Sequence, residues 1–124
     1  MIKSVIKGYG YYVPENVVTN DDLSKLMTTN DEWITERTGI KERRHRKNRN
    51  DSEETTAFLA KKAAEKALEK ANLTAKDLDF IVFATLSPDY FFPGSGVVLQ
   101  EMLGCDTIGA LDVRNQCSGF VYSM

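Results

Sequence analysis

Residues 80–113, FIVFATLSPDYFFPGSGVVLQEMLGCDTIGALDV, decide the fold of this 124-residue chain. Phe80–Leu86 is a continuous apolar run without alternation, which is typical of a parallel strand covered on both faces. An apolar helical pattern follows from Ser95 to Gly104, and a second apolar strand is predicted over Ile108–Val113. Strand, helix and strand within about thirty residues predict a βαβ unit. We therefore expect an α/β fold with a partly parallel sheet.

The segment before this unit has the clearest helical periodicity in the chain, from about Glu53 to Ala71. Asp51 and Ser52 are expected to cap its amino end, and Asn72 is expected to end it in the left-handed conformation. Alanines on one face would let the helix lie close to a sheet. Lysines and glutamates on the opposite face predict a solvated surface.

The amino-terminal part predicts a strand and two short helices. Val5–Val13 is apolar and aromatic, which favours a strand, and its two glycines indicate a bulge or a close backbone approach. Thr19 and Asn20 can cap the first helix, while Asn30 caps the second and Gly39 ends it. The basic run that follows, KERRHRKNRN, is expected to be a loop or an edge strand balanced by nearby acids, Asp51, Glu53 and Glu54.

The composition excludes several classes of protein. Sixteen Lys and Arg against eighteen Asp and Glu give a net charge of -2, which argues against a nucleic-acid binder driven by bulk charge. No apolar run reaches the roughly eighteen residues of a membrane span, and the start lacks the pattern of a secretory signal. Two cysteines and one histidine are too few for a disulfide scaffold or a structural zinc site. We expect a cytoplasmic protein with reduced thiols, no metal site and no membrane or nucleic-acid partner.

The segment ALDVRNQCSGFVY, residues 110–122, holds the strongest candidate for chemistry. Cys117 is expected where a helix begins beyond the carboxyl end of a buried strand, the edge at which ligands of open α/β sheets collect. The helix amino end would favour the thiolate and offer N–H groups to an oxyanion. Gly119 would let substrate or another chain segment approach the sulfur closely. A lone cysteine is also commonly a buried structural residue, so position alone leaves both roles open.

The motif Asp112-Val113-x-x-x-Cys117-x-Gly119-Phe120 resembles the nucleophile segment of β-ketoacyl-acyl-carrier-protein synthase III, a condensing enzyme of the thiolase-like superfamily. The resemblance continues, in the family's order, through Gly8-x-Gly10-x-Tyr12-x-Pro14, Val18-Thr19-Asn20, Asp31-Glu32-Trp33-Ile34, Arg37-Thr38-Gly39-Ile40-x-Glu42-Arg43, Phe92-Pro93 and Met102-Leu103-Gly104. It spans essentially the whole chain and favours Cys117 as the nucleophile. It implies that residues 1–124 are the amino-terminal half of a thiolase-like α/β fold, truncated within the nucleophile helix, with the carboxyl-terminal half absent.

The resemblance also implies an acyltransferase that starts fatty-acid synthesis. An acyl group, with acetyl as the expected one, would pass from coenzyme A to Cys117 and then condense with malonyl-acyl carrier protein, with loss of carbon dioxide. Coenzyme A thioester is then a substrate, no permanently bound cofactor is implied, and the enzyme would be a homodimer. The family's catalytic histidine and asparagine belong to the absent half, so His45 is not expected to be the general base.

By the same resemblance, Trp33 would stack on the adenine of coenzyme A, and Arg37 and Thr29 would contact the nucleotide. Phe92 would help to wall the acyl pocket, in the family across a dimer interface. Without the resemblance, these residues would be a partly buried aromatic side chain, surface residues and a core phenylalanine. Cys105 matches no motif and is expected to be a packing or surface thiol.

Three residues depart from the family pattern. Arg114, Asn115 and Gln116 stand where the best-known members have small residues before the cysteine, which leaves the acyl substrate open. Three hypotheses therefore remain: a synthase III, a relative that uses another acyl substrate in secondary metabolism, and a fragment that by itself is a catalytically silent folding or dimerisation unit.

Overall fold

The structure, a computed structural model, describes residues 3–47 and 54–124. The chain forms two compact units, one of them Val13–Glu54 and the other Met1–Tyr12 together with Thr55–Met124. Helices accompany one antiparallel and one parallel pair of strands. The α/β class predicted from the sequence is therefore confirmed.

The smaller unit contains a two-stranded antiparallel sheet and two helices. Strand β1, Val17–Thr19, pairs with β2, Glu42–Arg44, so that Val17 lies opposite Arg44. Helix α1 spans Asn20–Ser24 and helix α2 spans Asp31–Thr38. Both predicted helices are therefore present, and the first is a single short turn of chain.

The ends of these helices follow local sequence signals. Thr19 caps α1 by accepting a hydrogen bond from the N–H of Asp22, whose carboxylate accepts from Thr19 in return. Asn30 caps α2, and Gly39, at φ 71°, ends it in the left-handed region. The expectation that Asn20 shares the capping role is wrong, because Asn20 is the first helical residue and its side chain is buried.

Two exposed capping aspartates are held in the ionised form. Lys25 Nζ lies 2.8 Å from Asp22 Oδ1, and with the hydrogen bonds from Thr19 it lowers the pKa of Asp22 well below its ordinary value. The same contact raises the pKa of Lys25. In the larger unit, the backbone N–H and hydroxyl of Thr74 donate to Asp77 and lower its pKa. Each carboxylate therefore favours its folded capping geometry when ionised.

The basic run 41–50 contains β2, so the predicted edge strand is confirmed for that part. The N–H of His45 donates to the carbonyl of Asn16 at 3.0 Å, and the N–H of Lys47 donates to Glu54 at 2.7 Å. Outside the described residues lie the end of the run, 48–50, and the other acids expected to balance it, Asp51 and Glu53.

The larger unit is built on helix α3, Thr56–Ala71. Thr55 caps it by accepting from the N–H of Phe58, and Asn72, at φ 54°, ends it as predicted. The predicted caps Asp51 and Ser52 and the predicted first residue, Glu53, lie outside the described residues.

The βαβ unit is confirmed. Strand β3, Phe80–Ala84, pairs in parallel with β4, Gly109–Val113, and helix α4, Ser95–Leu103, connects them. The core is formed by Ile81, Phe83 and Leu99, with Ala60, Leu103, Cys105, Ile108 and Ala110 packed against it.

Burial in β3 alternates, although its sequence does not. Ile81 and Phe83 are buried, whereas Phe80 is 55% and Val82 39% exposed. The prediction that the strand is covered on both faces is therefore wrong for the described residues, because α3 and α4 pack on the side of Ile81 and Phe83.

The predicted strand at Val5–Val13 is wrong, since residues 3–14 contain no strand. The segment lies instead against α3, where a Cβ at Gly8 would overlap the carbonyl oxygen of Ala67 and one at Gly10 that of Ala63. The close approach predicted from the two glycines is thus confirmed. No described strand pairs with this segment.

The outer face of α3 is partly covered. Lys61 and Glu65 form the expected ion pair at 3.3 Å, with the Lys61 side chain half-buried. Lys70, however, lies 3.9 Å from the ring centroid of Tyr9, and Lys66 donates to the carbonyl of Tyr11. Lysines that were expected to be solvated therefore help to hold the amino-terminal segment on the helix.

Candidate active site

Cys117 lies in a short turn that follows strand β4. A 3-10 turn spans Gln116–Ser118, and helix α5, Gly119–Ser123, begins only after it. The thiol is free and the residue is exposed. The prediction that Cys117 follows the carboxyl end of a parallel strand is therefore confirmed. Its predicted place at the first residue of the helix is wrong, because the chain tightens into a 3-10 turn before α5.

An open depression of about 270 Å³ lies beside this turn. Its walls include Asn115 and Gln116 on the amino side of Cys117, and Gly119 and Phe120 on the carboxyl side. Gly119 is buried, and a Cβ there would lie 3.5 Å from the Cβ of Ala84 in β3. Of the two roles that the sequence left open for this glycine, the geometry matches close approach of another chain segment.

Asp112, at the end of β4, holds the amino end of helix α4. Its two carboxylate oxygens accept from the N–H groups of Ser95 and Gly96, each at 2.7 Å. A Cβ at Gly94 or Gly96 would lie 2.7 Å from a carboxylate oxygen of Asp112, so a side chain at either position would force that carboxylate to shift. Sequence reasoning used Asp112 only as part of a motif and missed this role. A charged residue within an otherwise apolar strand was the available signal.

A second aspartate performs the same task for helix α3. The carboxylate of Asp89 accepts from the N–H groups of Thr56 and Ala57, each at 2.7 Å. Its own N–H donates to the hydroxyl of Ser95 at 3.3 Å, and Ser95 is fully buried. These bonds fix the amino-terminal part of the loop before α4 to both helices. The sequence offered no local signal, because the bonded partners lie on other elements.

The same loop carries Phe92, which is 91% exposed. The alternative of a core phenylalanine is therefore excluded for the described chain. The neighbouring Phe91 is 80% exposed, and its carbonyl accepts a hydrogen bond of 2.8 Å from Arg114 Nη2. Arg114 thus links the tip of the loop to the segment that leads into Cys117.

In the smaller unit, the structure brings together the three residues predicted to bind coenzyme A. The guanidinium carbon of Arg37 lies 4.5 Å from the ring centroid of Trp33, which is 52% exposed. An open depression of about 310 Å³ is lined by Thr28, Thr29, Asn30 and Trp33. Thr29 Oγ1 is buried, and the described residues give it no hydrogen-bond partner. An exposed indole beside an unpaired hydroxyl can accept a flat, polar ligand.

Asn20 supports this region from within. Its Nδ2 donates to Asp31 Oδ1 at 2.7 Å and to the carbonyl of Ile40 at 2.8 Å, and its Oδ1 accepts from Arg43 Nη2 at 2.8 Å. The side chain is 1% exposed. Asn20 therefore ties α1, α2 and β2 together, a role that sequence reasoning missed because its partners are distant in sequence.

The predicted site residues divide between the two units. Thr29, Trp33 and Arg37 belong to the smaller unit, and Phe92 and Cys117 to the larger one. The expected packing role of Cys105 is confirmed by its contact with the core. Across residues 3–47 and 54–124, no group of three His, Cys, Asp or Glu side chains could hold a metal ion, and no helix is long and apolar enough to cross a membrane.

Comparison with known proteins identifies several relatives of the chain. No protein-family model matches it. It is 46% identical over 123 residues to the β-ketoacyl-[acyl-carrier-protein] synthase III of Chlamydia muridarum, which covers 99% of this chain and 36% of that protein. The chain therefore spans about a third of the length of this relative.

Solved structures agree. The crystal structure of 3-oxoacyl-[acyl-carrier-protein] synthase III from Aquifex aeolicus matches 94% of this chain and 36% of its own, at a TM-score of 0.87 and 48% identity. The priming β-ketosynthase of the R1128 polyketide pathway matches 94% of this chain and 34% of its own, at a TM-score of 0.86 and 30% identity. The resemblance found in the motifs and the thiolase-like α/β class are both confirmed.

Proposed function

We propose that this chain, homologous along its length to β-ketoacyl-acyl-carrier-protein synthase III, carries the nucleophile and the coenzyme A contacts of such a condensing enzyme. The observation that carries the proposal is the exposed, free thiol of Cys117 in the turn after β4, in a chain whose relatives bear that enzyme's name. Exposure favours the nucleophile over the structural thiol, which would be buried.

The proposed first step is acyl transfer to Cys117. The thiolate sulfur attacks the thioester carbonyl carbon, the bond between that carbon and the sulfur of coenzyme A breaks, and coenzyme A leaves as a thiolate that takes up a proton. Backbone N–H groups near the turn would stabilise the tetrahedral oxyanion. No oxidant or reductant is needed.

The proposed second step is condensation with malonyl-acyl carrier protein. Loss of carbon dioxide leaves an enolate, whose carbon attacks the acyl carbonyl on Cys117 and releases the Cys117 thiolate. The product is a β-ketoacyl thioester of the carrier protein. The expected first acyl group is acetyl, which places the reaction at the start of fatty-acid synthesis.

The nucleotide of coenzyme A would bind in the smaller unit. The exposed ring of Trp33 would stack on the adenine. The guanidinium of Arg37, which lies over that ring, would add its positive charge. The unpaired hydroxyl of Thr29 would form a hydrogen bond with the ligand. Trp33→Ala should raise the KM for acetyl-CoA about tenfold with a smaller change in kcat, because it removes ground-state binding. Trp33→Phe should recover part of the loss.

We extend the proposal to assembly and location. A homodimer is supported by the exposed apolar residues of β3, such as Phe80, and by Phe92 on its loop. A cytoplasmic location is supported by the two free thiols and by the proposed substrates.

A second candidate function is condensation of a different acyl group. Two polar residues, Asn115 and Gln116, line the depression beside Cys117, and the relatives include a priming β-ketosynthase of a polyketide pathway. A polar wall favours a substrate with hydrogen-bonding groups over a plain alkyl chain. Offering the full-length protein a series of acyl-CoA substrates and comparing kcat/KM would separate the two candidates.

The condensation assay tests the proposal. The full-length protein, supplied with acetyl-CoA and malonyl-acyl carrier protein, should form the β-ketoacyl product, and Cys117→Ala should lower the rate at least a thousandfold. Cys105→Ala is the matched control, because that thiol packs against the core, and it should retain most of the activity per folded molecule. Normal product formation by Cys117→Ala would overturn the proposal.

A further inference from the structure

The depression in the smaller unit is built around the amino end of helix α2. Its walls are the last residues before the helix and one residue of its first turn, namely Thr28, Thr29, Asn30 and Trp33. The N–H of Trp33 donates to Asn30 Oδ1 at 2.7 Å, so the cap joins the two lining segments. The placement of this helix end therefore decides whether the ring of Trp33 and the buried hydroxyl of Thr29 can contact one ligand together.

Asp31 lies between these lining residues in the sequence, but in the described chain it does not itself line the depression. Its Oδ1 accepts from Asn20 Nδ2 at 2.7 Å and from Thr35 Oγ1 at 3.2 Å. The first bond joins α2 to α1, and the second lies within α2. An ionised carboxylate makes a stronger hydrogen bond with an amide than a neutral acceptor does. Asp31 is therefore the point at which the amino end of α2 is attached to the rest of the smaller unit.

The partner of Asp31 is fixed from two other sides. Asn20 is buried, and its Nδ2 also donates to the carbonyl of Ile40 at 2.8 Å. Its Oδ1 accepts from Arg43 Nη2 at 2.8 Å, and Arg43 Nη1 in turn donates to the carbonyl of Val18 at 3.4 Å. Because Asn20 is held by β2 and by the chain after α2, it gives Asp31 a fixed partner.

Apolar burial contributes little to the placement of α2. The whole helix lies within the described chain, and of its eight residues only Ile34 is buried. Trp33 keeps about half of its surface exposed. Since burial of one side chain leaves a short helix free to tilt, a hydrogen bond at its amino end has a large share in fixing its orientation.

We propose that Asp31 is a positioning residue for the nucleotide of the acyl-CoA substrate. By bonding to Asn20, its carboxylate holds the amino end of α2 in the orientation that presents Trp33 and Thr29 to the ligand. The inference rests on the proposed binding of coenzyme A in the smaller unit. The charge of Asp31 would repel the phosphates of that ligand, so Asp31 favours binding through geometry and not through direct contact.

The test compares two thioesters in acylation of Cys117 by the full-length protein: acetyl-CoA, and acetyl-pantetheine, which lacks the nucleotide. Asp31→Ala should raise the KM for acetyl-CoA about fivefold with little change in kcat, because it weakens ground-state binding of the nucleotide. It should leave kcat/KM for acetyl-pantetheine unchanged. Asp31 is exposed, so the variant is expected to fold, and a general loss of folded protein would lower the rates with both thioesters alike.

Glu32→Ala is the matched control. Glu32 is the other acid in the first turn of α2 and is exposed, so its removal takes the same charge from the same helix end. Its KM for acetyl-CoA should equal the wild-type value or fall below it. Asp31→Asn keeps an oxygen acceptor for Asn20 without the charge and should recover most of the affinity. A KM for Asp31→Asn as high as that of Asp31→Ala would tie the effect to the charge and overturn the positioning role.

A binding measurement checks the inference without using activity. The Kd for free coenzyme A, measured by calorimetry on the full-length protein, should rise about fivefold in Asp31→Ala and stay at the wild-type value or lower in Glu32→Ala. Trp33→Ala serves as the reference for loss of the nucleotide site and should weaken binding at least as much as Asp31→Ala.

The outcomes separate the inference from the function on which it rests. If Trp33→Ala weakens binding of coenzyme A but Asp31→Ala behaves like Glu32→Ala, the positioning role is overturned and the proposed nucleotide site stands. If Asp31→Ala slows acylation by acetyl-pantetheine as much as by acetyl-CoA, the effect does not pass through the nucleotide and the role is again overturned. If Trp33→Ala binds coenzyme A as the wild type does, the proposed nucleotide site fails, and the inference fails with it.

Discussion

The two compact units hold their helices in place with different kinds of side chain. In Val13–Glu54 a single buried amide, that of Asn20 in α1, donates to Asp31 of α2 and to the carbonyl of Ile40, and it accepts from Arg43 of β2. In the larger unit two carboxylates, Asp89 and Asp112, cap the amino ends of α3 and α4 from outside those helices.

An amide and a carboxylate differ in the number of elements that they can connect. An amide both donates and accepts, so Asn20 can join several elements into one network. A carboxylate only accepts, so each aspartate ties one segment to one helix amino end, where the dipole favours negative charge. The first arrangement therefore stabilises the helix that carries Trp33, and the second fixes the chain on either side of the Phe92 loop.

The largest expected effect is at Asn20. Asn20→Ala should lower the free energy of unfolding by about 3 kcal/mol, because it leaves Arg43, Asp31 and the carbonyl of Ile40 without a buried partner. Denaturant titration of the full-length protein measures it, and Asn30→Ala, which removes one exposed cap, should cost only about 1 kcal/mol. Equal costs for the two variants would show that Asn20 is no more than another cap.

The aspartate caps come next. Asp112→Ala should cost about 2 kcal/mol of unfolding free energy, because the N–H groups of Ser95 and Gly96 are buried and lose their acceptor. Asp106→Ala is the control, since its carboxylate forms an exposed pair with Lys76 and should cost less than about 0.5 kcal/mol. A cost for Asp112→Ala as small as that of the control would contradict the capping role.

A smaller effect is expected at Thr55. Thr55→Ala removes the side-chain oxygen that accepts from Phe58 at the start of α3 and should cost about 1 kcal/mol. Because Asp89 also caps this helix, the double variant with Asp89→Ala should cost more than the sum of the single variants. Simple additivity, measured by denaturant titration, would show that the two caps act independently.

The smallest expected effect is on the loss of folding stability at acidic pH. The pKa values of Asp22 and Asp77, one in each unit, lie below their ordinary value of 3.8 in the folded protein, so the unfolded chain binds protons more readily there. Their stabilisation is present above about pH 4 and is lost as pH falls through the folded pKa values. Asp22→Asn and Asp77→Asn should each flatten the fall in stability between about pH 5 and pH 3. Unchanged slopes in both variants would contradict this assignment.

How far the sequence predicts the structure depends on the distance between interacting residues. The stops at Gly39 and Asn72 and the cap at Asn30 were predicted correctly, because each signal is local to its helix end. The roles of Asn20 and Asp112 were not predicted, because their partners lie elsewhere in the chain. The prediction of a strand at Val5–Val13 failed for the same reason: apolar and aromatic content favours a strand, but a strand also needs a partner strand, and none of the described strands pairs with this segment.

The candidate site shows the same division. The sequence around Cys117 located the thiol beyond the carboxyl end of a parallel strand but predicted a helix start where the structure has a 3-10 turn. The resemblance grouped Thr29, Trp33 and Arg37, which the structure brings together. The contact between Arg114 and Phe91 could not be predicted, because Arg114 was noticed only as a departure from the family pattern. Its partner is identified by the folded loop.

Mapping the acyl group after a short incubation tests the central claim most directly. The full-length protein, treated with acetyl-CoA, quenched and digested, should carry one acetyl group on the peptide that contains Cys117 and none on the peptide that contains Cys105. Hydroxylamine should remove it, as expected for a thioester. An acetyl group on Cys105 alone, or none on either cysteine in protein that is folded, would contradict the account.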